Sequence, residues 1–241
     1  MKNNGCPAYR HELKYLISET EKEIIKLRMK PVFQLDEHAG TEGYEIRSLY
    51  FDDYWNSAFE EKSMGIYARK KYRIRIYNYA DHNIKLERKH KLGRHIYKES
   101  APLTHEEVDL LLSGQYDFLL RSSDPLCREF YVESISHVMR PRVVVDYVRE
   151  AYVMEEGTVR ITFDSHVCAA ILGTDIFDAK LPKLEVLEPG KLVMEVKFTE
   201  FLPQIVRSVL PSSASEFIAV SKYALCYEKT QYLHGWGYWK E

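Results

Sequence analysis

The stretch ARKKYRIRIY (residues 68–77) places five cationic side chains in one short segment. In an extended strand, successive side chains alternate between the two faces. One face would then carry Arg69, Lys71, Arg73, Arg75 and Tyr77, and the other would carry Lys70, Tyr72, Ile74 and Ile76. The stretch therefore predicts a strand with one almost wholly cationic face, and the fold has to provide a place for that face.

A second strand with a charged face follows at NIKLERKHK (83–91), after a turn predicted at 80–82. Its odd positions include Lys85, Glu87, Lys89 and Lys91. A single cationic face is typical of a solvated edge strand, where charge opposes aggregation. Two neighbouring charged faces favour an interior lined by paired or hydrated ions. The segments VRITFD (159–164) and MEVKF (194–198) repeat this alternation of charged and apolar positions.

The composition bounds the class of protein. With 241 residues and 45% hydrophobic content, the chain can bury one good core. The formal net charge of -2 gives no global basic field, so no nucleic-acid partner is expected. Four scattered cysteines without a close Cys-x-x-Cys pair argue against a zinc site or a disulfide framework.

The sequence contains no signal for secretion or for membrane insertion. Its first residues, MKNNGCPAYRHELKY, lack the apolar run of a signal peptide, and no stretch approaches the roughly 20 apolar residues of a membrane span. We therefore expect a cytoplasmic protein.

The order of elements along the chain predicts an α+β fold. Strand patterns dominate both ends, and a helical insert is predicted over about 104–139, where Thr104 and Glu107 have capping-box spacing. Ser18 and Glu21 give the same signal for a helix after the first strand. No linker divides residues 1–241, so we expect one domain built on a single antiparallel β-barrel of about eight strands with peripheral helices.

A charged interior of this kind suits a ligand with several phosphates. The planar fork of arginine binds phosphate oxygens with two hydrogen bonds, and lysine adds point charges. A few carboxylates could hold a hard divalent cation that bridges the same oxygens. The alternation in SLYFD (48–52) does not settle whether Arg47 also faces this interior.

Nine segments in order carry a resemblance that extends from about residue 9 to residue 229. They are HELKYLI, RSLYFDD, RKKYRIRIY, KLERKHK, YKES, DYVREAY, VRITFD, MEVKF and VSKYALC. This set resembles the VTC-domain family, which is named for the catalytic subunit of the vacuolar transporter chaperone, a polyphosphate polymerase. The family belongs to the triphosphate tunnel metalloenzymes, a CYTH-like superfamily.

The resemblance implies a function and a set of site residues. The implied reaction is transfer of the terminal phosphoryl group of ATP onto phosphate or polyphosphate in a basic tunnel, with Mn²⁺ or Mg²⁺. The implied catalytic residues are Arg73, Arg75, Lys89, Arg160 and Lys197. The implied substrate-binding residues are Lys14, Lys98, Tyr147, Arg149, Ser221 and Lys222. Glu195 matches the metal-binding glutamate, whereas Glu87 and Asp164 either contact the metal or only orient neighbouring basic groups.

The first strand departs from the wider superfamily. The hydrolases and cyclases carry Glu-x-Glu-x-Lys there, and this chain has Arg10 in place of the first glutamate, followed by Glu12 and Lys14. One carboxylate fewer favours the polymerase branch over the metal-rich triphosphatases. A metal-dependent triphosphatase and a non-catalytic module that binds polyphosphate or nucleotide stay open as alternatives. Family members with membrane helices also raise the expectation of a membrane-protein partner.

Overall fold

The computed structural model describes residues 10–37, 39–40, 43–93, 95–199, 201–211 and 221–234. The strands are β1 (His11–Ser18), β2 (Gln34–Leu35), β3 (Tyr44–Asp52), β4 (Ala68–Tyr77), β5 (Ile84–Leu92), β6 (His95–Leu103), β7 (Arg140–Met154), β8 (Val159–Ala170), β9 (Lys183–Glu185) and β10 (Lys191–Phe198). The α-helices are α1 (Glu19–Met29), α2 (Ser57–Ser63), α3 (His105–Leu112), α4 (Phe118–Arg121), α5 (Pro125–Ser136), α6 (Gln204–Val209) and α7 (Lys222–Thr230).

All strands belong to one antiparallel sheet. Eight of them follow the order β1-β10-β8-β7-β3-β4-β5-β6, and the short strands β2 and β9 pair with β7 and β8 beside this path. The sheet curls, because Lys89 on β5 reaches Glu12 on β1 although five strands separate β5 from β1 along the path. The predicted α+β class and antiparallel sheet are confirmed.

The prediction of a closed barrel is not confirmed. Within the described part of the chain, the edge strands β1 and β6 meet only at an isolated antiparallel bridge between Arg10 and Ile96. This register sets His11 opposite His95, the first residue of β6. The rest of β1 therefore extends past the start of β6. On this edge the described residues of β1 pair with no strand, which leaves the sheet open.

Helices cover the sheet where its side chains are apolar. Ile74 and Ile76 of β4 are fully buried in a cluster with Val108 of α3 and Phe130 of α5. A second cluster packs α1 and α6 on β1, β8 and β10. Helices α3, α4 and α5 lie in the range of the predicted insert, and the capping boxes predicted for α1 and α3 are both formed.

Helix α7 packs on the other side of the sheet, which also carries the charged faces of the strands. Its residues Tyr223 and Cys226 are buried against Tyr50 of β3 and Val145 of β7. The helix therefore fills part of the space inside the curved sheet, and its first residue marks the border of what stays open. No helix in the described ranges is long and apolar enough to cross a membrane.

Candidate functional site

A cavity of about 630 Å³ occupies the open part of the curved sheet. Strands β1, β4, β5, β7 and β10, helix α2 and the start of α7 supply its charged lining. Its cationic lining consists of Lys14, Lys62, Arg69, Lys71, Arg73, Arg75, Lys89, Lys91, Arg149, Lys197 and Lys222. Glu12 and Glu195 are the carboxylates that line the same cavity. The alternation predicted for β4 thus places all four of its odd-numbered cations in one cavity.

Glu195 lies at the centre of the cationic wall. Its carboxylate is 3.3 Å from Nζ of Lys14, 3.0 Å from Nζ of Lys197 and 3.0 Å from Nζ of Lys222. Burial alone would raise the pKa of this carboxyl, but the three ammonium groups hold it well below its usual value. Glu195 is therefore an anion that holds three lysines at short range.

Glu12 is a second carboxylate in the cavity, and the sequence-based list of site residues did not include it. Its Oε2 accepts a hydrogen bond from Lys89 Nζ at 2.9 Å. Its Oε1 is buried and accepts no hydrogen bond, with the Nζ atoms of Lys14 and Lys197 at 3.7 and 3.8 Å. Burial opposes ionisation, but Lys14 and Lys89 lower the pKa of Glu12 to about 2. The sequence did indicate this place for Glu12, because a residue two positions before Lys14 lies on the same face of β1.

Arg73 and Arg75 are held by groups on three neighbouring strands. Arg73 donates from Nε and Nη2 to Glu87 Oε2, at 2.8 and 2.6 Å, and from Nη1 to Tyr50 Oη at 2.8 Å. Arg75 donates to Ser48 Oγ at 3.1 Å and to Tyr147 Oη at 2.9 Å. Both guanidinium groups are thereby fixed in orientation at the cavity wall.

Asp164 holds two further cations of the site and does not line the cavity itself. It accepts two hydrogen bonds from Arg149, at 2.6 and 2.7 Å, and its Oδ2 lies 2.5 Å from Nζ of Lys222. Burial opposes its ionisation, but Arg149 and Lys222 lower its pKa. Asp164 and Glu87 thus bind basic side chains, which is the orienting role that the sequence left open for them.

The first residues of α7 close one side of the cavity. Ser221 caps this helix, since its Oγ accepts a hydrogen bond from the amide of Ala224 at 3.4 Å. The same Oγ lies 3.1 Å from Nζ of Lys71, which also stands over the ring of Tyr223. A helix N-terminus attracts anions, so α7 adds to the positive potential of the cavity.

The lining includes four cations that were not predicted to be site residues: Lys62, Arg69, Lys71 and Lys91. The parity of β4 and β5 already placed three of them on the charged faces. Lys62 lies on α2, where strand alternation gives no signal.

Arg160 and Lys98 lie outside the cavity lining. Arg160, at the start of β8, is 3.2 Å from Asp36 Oδ2 and 3.3 Å from Tyr44 Oη. Lys98 on β6 donates to Glu87 Oε1 at 2.8 Å. The structure therefore brings the other ten residues of the predicted set together and leaves these two at the margins.

Arg47 points away from the cavity. It is 1% exposed and donates to both carboxylate oxygens of Asp146, each at 2.8 Å. Its Nη1 also donates to the backbone carbonyl of Ile176 at 3.3 Å. Arg47 therefore holds the segment before β9 in place, and its charge is paired with Asp146 rather than directed into the cavity.

The donor set fits a divalent cation that is held jointly by protein and ligand. No group of three or more histidine, cysteine or acidic side chains suited to a metal exists among the described residues. Glu12 and Glu195 are both ionised and face one cavity, and Glu12 Oε1 is a buried acceptor without a hydrogen bond. Mg²⁺ is commonly bound by one or two carboxylates together with phosphate oxygens. The two glutamates meet that requirement without forming a complete cage.

Comparisons with solved structures return proteins of low identity. A candidate adenylate cyclase from Bacillus halodurans is 16% identical, with 79% of this chain and 82% of that chain covered and a TM-score of 0.46. The PH1819 protein from Pyrococcus horikoshii is 17% identical, with coverage of 92% and 98% and a TM-score of 0.46. No curated protein matches the chain.

The comparison with protein families gives a match over most of the chain. The model of the VTC domain matches residues 9–231, which include every strand and α-helix described above. The cavity and its cations lie within the matched range. The chain belongs to the VTC domain family.

Proposed function

We propose that this protein transfers the terminal phosphoryl group of ATP onto phosphate or polyphosphate inside the cavity, as a polyphosphate polymerase does. The observation that carries the proposal is the cavity lining, where eleven cationic side chains face two carboxylates. Such an excess of positive charge in a partly enclosed space favours a ligand with many negative charges in a row.

Phosphoryl transfer demands positioning and charge neutralisation rather than covalent participation by the protein. Arg73 and Arg75 have fixed orientations and are assigned to the oxygens of the transferred phosphoryl group. Because their donors are already oriented, little reorganisation is needed as negative charge develops in the transition state. No nucleophilic side chain takes part in this reaction.

The remaining lining residues are assigned to binding of the phosphate chain. The cations in this role are Lys14, Lys89, Arg149, Lys197 and Lys222, and the hydroxyl groups of Tyr147 and Ser221 add hydrogen bonds. Arg160 and Lys98 would contact only a chain that extends beyond the cavity. We assign all of these residues to one domain that comprises residues 1–241.

Glu12 and Glu195 would hold the divalent cation, for which Mn²⁺ and Mg²⁺ are the candidates. When bound, such an ion neutralises phosphate oxygens and helps to align the attacking and leaving groups. The lysines now paired with these glutamates would turn to the phosphates of the ligand. Each lysine would thereby exchange a carboxylate oxygen for a phosphate oxygen, which keeps the buried charges paired.

The proposal is tested by incubating the purified protein with ATP and Mn²⁺, with and without a short polyphosphate primer, and by resolving the products on a gel. Long chains made by the wild type and lost in Arg73→Ala support the polymerase. Arg28→Ala is the matched control, since Arg28 is an exposed residue of α1 that does not line the cavity. Thermal unfolding of each variant confirms that it is folded.

Two other outcomes assign the protein to another class. Free phosphate without chains would identify a triphosphatase that uses water as the acceptor. Unchanged ATP together with tight polyphosphate binding would identify a binding module. Either result would overturn the proposed polymerase activity.

A further inference from the structure

Apart from Arg73 and Arg75, the cations of the cavity fall into two sets that differ in their partners. Lys14, Lys89, Lys197 and Lys222 each lie within 4 Å of a carboxylate, and they form the inner cluster together with Arg149, which Asp164 holds. Lys62, Arg69, Lys71 and Lys91 form the outer cluster. Throughout the described ranges, none of these four has an ion pair with a carboxylate. Arg69 donates to the carbonyl of Ile66, and Lys71 contacts Ser221.

The register of β4 and β5 sets two members of the outer cluster, Arg69 and Lys71, opposite other cations. Arg69 lies directly opposite Lys91, and Lys71 lies directly opposite Lys89. Like charges at opposed positions of neighbouring strands are destabilising. Glu12 pairs with Lys89, whereas neither Arg69 nor Lys91 has an ion pair with a carboxylate in the described ranges. A chain that needed only a stable strand pair would gain by placing a glutamate at one of these positions.

The surroundings of Lys71 make its charge the most costly of the outer cluster. Burial lowers the pKa of this ammonium to about 7. Asp52 opposes the shift from the end of β3, whereas Arg69, Lys14 and Lys62 add to it from β4, β1 and α2. Ser221 and the ring of Tyr223 face Lys71 from α7. Burial also lowers the pKa of Lys62 and of Lys91, and Arg69 adds to both shifts, while Glu228 opposes the shift of Lys62 and Glu12 that of Lys91.

We propose that the outer cluster is a separate subsite for the acceptor, which is orthophosphate or the end of a polyphosphate chain, while the inner cluster binds the triphosphate of the donor. This inference rests on the proposed function. An anion that bridges Lys71, Arg69 and Lys91 removes the repulsion between them, so the ligand supplies the negative charge that the protein lacks there. The chemical class is a chain of consecutive phosphates.

The two clusters suit different tasks. The inner cluster contains the carboxylates that fit a divalent cation, as a nucleoside triphosphate requires. The outer cluster has none, and three of its four members are lysines. Lysine binds phosphate as a point charge without a fixed geometry, so this subsite would accept a chain in several registers. Such tolerance suits an acceptor that changes its length during the reaction.

The test compares two probes, inorganic tripolyphosphate and long-chain polyphosphate, by calorimetry in the presence of Mn²⁺. We expect Lys71→Gln and the double variant Lys71→Gln/Lys91→Gln to bind tripolyphosphate as the wild type does. We expect both to bind the long chain at least about tenfold more weakly, since only the long chain spans both clusters. Lys70→Gln is the matched control, because Lys70 is the next residue on β4 and pairs with Glu133 outside the cavity.

A pH series separates the charge of Lys71 from its shape. One pH unit above 7, Lys71 is largely neutral in the free protein, and one unit below 7 it is largely charged. The wild type should therefore bind the long chain more weakly at the higher of these two pH values. Lys71→Arg keeps its charge over this range and should lose part of that pH dependence.

The outcomes distinguish this inference from the proposed function. Equal weakening of both probes by the outer variants would overturn the acceptor subsite, and so would unchanged binding of the long chain. In either case the wild type could still be a polymerase. A wild type that binds neither probe would overturn the proposed function and the acceptor subsite together.

Discussion

Arg73 donates two hydrogen bonds to a single oxygen of Glu87, at 2.8 and 2.6 Å, across the pair formed by β4 and β5. A third donor of the same guanidinium is taken by Tyr50. Since arginine has five N–H donors, one N–H remains on each terminal nitrogen. Those two donors are available to a phosphate, and their direction is fixed before the phosphate arrives.

Glu87→Gln tests whether this fixed direction matters for turnover. The amide keeps the shape of Glu87 but removes the charge that holds Arg73, Arg75 and Lys98. We expect turnover of ATP to fall about tenfold because the guanidinium groups lose their alignment. The affinity for tripolyphosphate should not fall, since the cavity becomes more positive. Steady-state kinetics and calorimetry measure the two effects, and a weakened affinity with unchanged turnover would contradict the expectation.

Tyr147→Phe isolates a hydroxyl group in the wall of the cavity. Tyr147 Oη accepts a hydrogen bond from Arg75, and its ring lies 5.2 Å from the guanidinium carbon of Arg149 and 4.8 Å from Nζ of Lys222. Phenylalanine keeps the ring contacts and loses only the hydroxyl. Because hydrogen bonds to charged groups contribute about 1.5–3 kcal/mol, turnover should fall at least about tenfold.

The matched control for this substitution is Tyr152→Phe. The hydroxyl of Tyr152 donates to Glu150 on the same strand, outside the cavity lining. Turnover of this control should equal that of the wild type. If both variants lost activity equally, the effect of Tyr147→Phe would be one of general stability rather than of its place in the cavity.

Strand alternation predicted the wall of the site better than it predicted the partners of each wall residue. The parity of β4 and β10 correctly placed Arg73, Arg75 and Lys197 on one side of the sheet. The contact between Lys89 and Glu12 joins residues 77 positions apart, and no local pattern encodes it. The predicted closure of the barrel was not confirmed for the same reason, since closure depends on the register between the edge strands β1 and β6. Alternation along a strand determines which side of the sheet a side chain points to. The curvature of the whole sheet determines which side chains from distant strands come into contact.

The ionised carboxylates of the cavity should make the fold sensitive to acid. Glu12 has its pKa lowered from 4.5 to about 2 in the folded protein. A carboxyl with a lowered pKa stabilises the fold above its unfolded pKa, and this contribution is lost as the pH falls from about 4.5 toward 2. A shift of this size corresponds to about 3 kcal/mol. Urea unfolding at a series of pH values should show the free energy of unfolding of the wild type falling over this window.

Glu12→Gln should be less stable than the wild type at neutral pH, and the difference should shrink as the pH approaches 2. Glu23→Gln serves as the control, since Glu23 is a largely exposed residue of α1 that pairs with Lys26. Exposed pairs contribute little, so this control should follow the wild type at every pH. A constant difference between wild type and Glu12→Gln across the series would show that Glu12 is not ionised in the fold.

The pair of Arg47 and Asp146 provides the opposite case, a buried cation that lies outside the cavity lining. Asp146→Asn leaves the guanidinium buried beside a neutral amide, and breaking a buried pair in this way costs about 3–5 kcal/mol. We expect the free energy of unfolding in urea to drop by that amount, while the tripolyphosphate affinity of the folded fraction stays that of the wild type. Replacing both partners, as Arg47→Met/Asp146→Leu, should recover much of the stability because no unpaired charge remains buried. A loss of tripolyphosphate binding in the double variant would instead mean that the charge of Arg47 contributes to the cavity from behind the sheet.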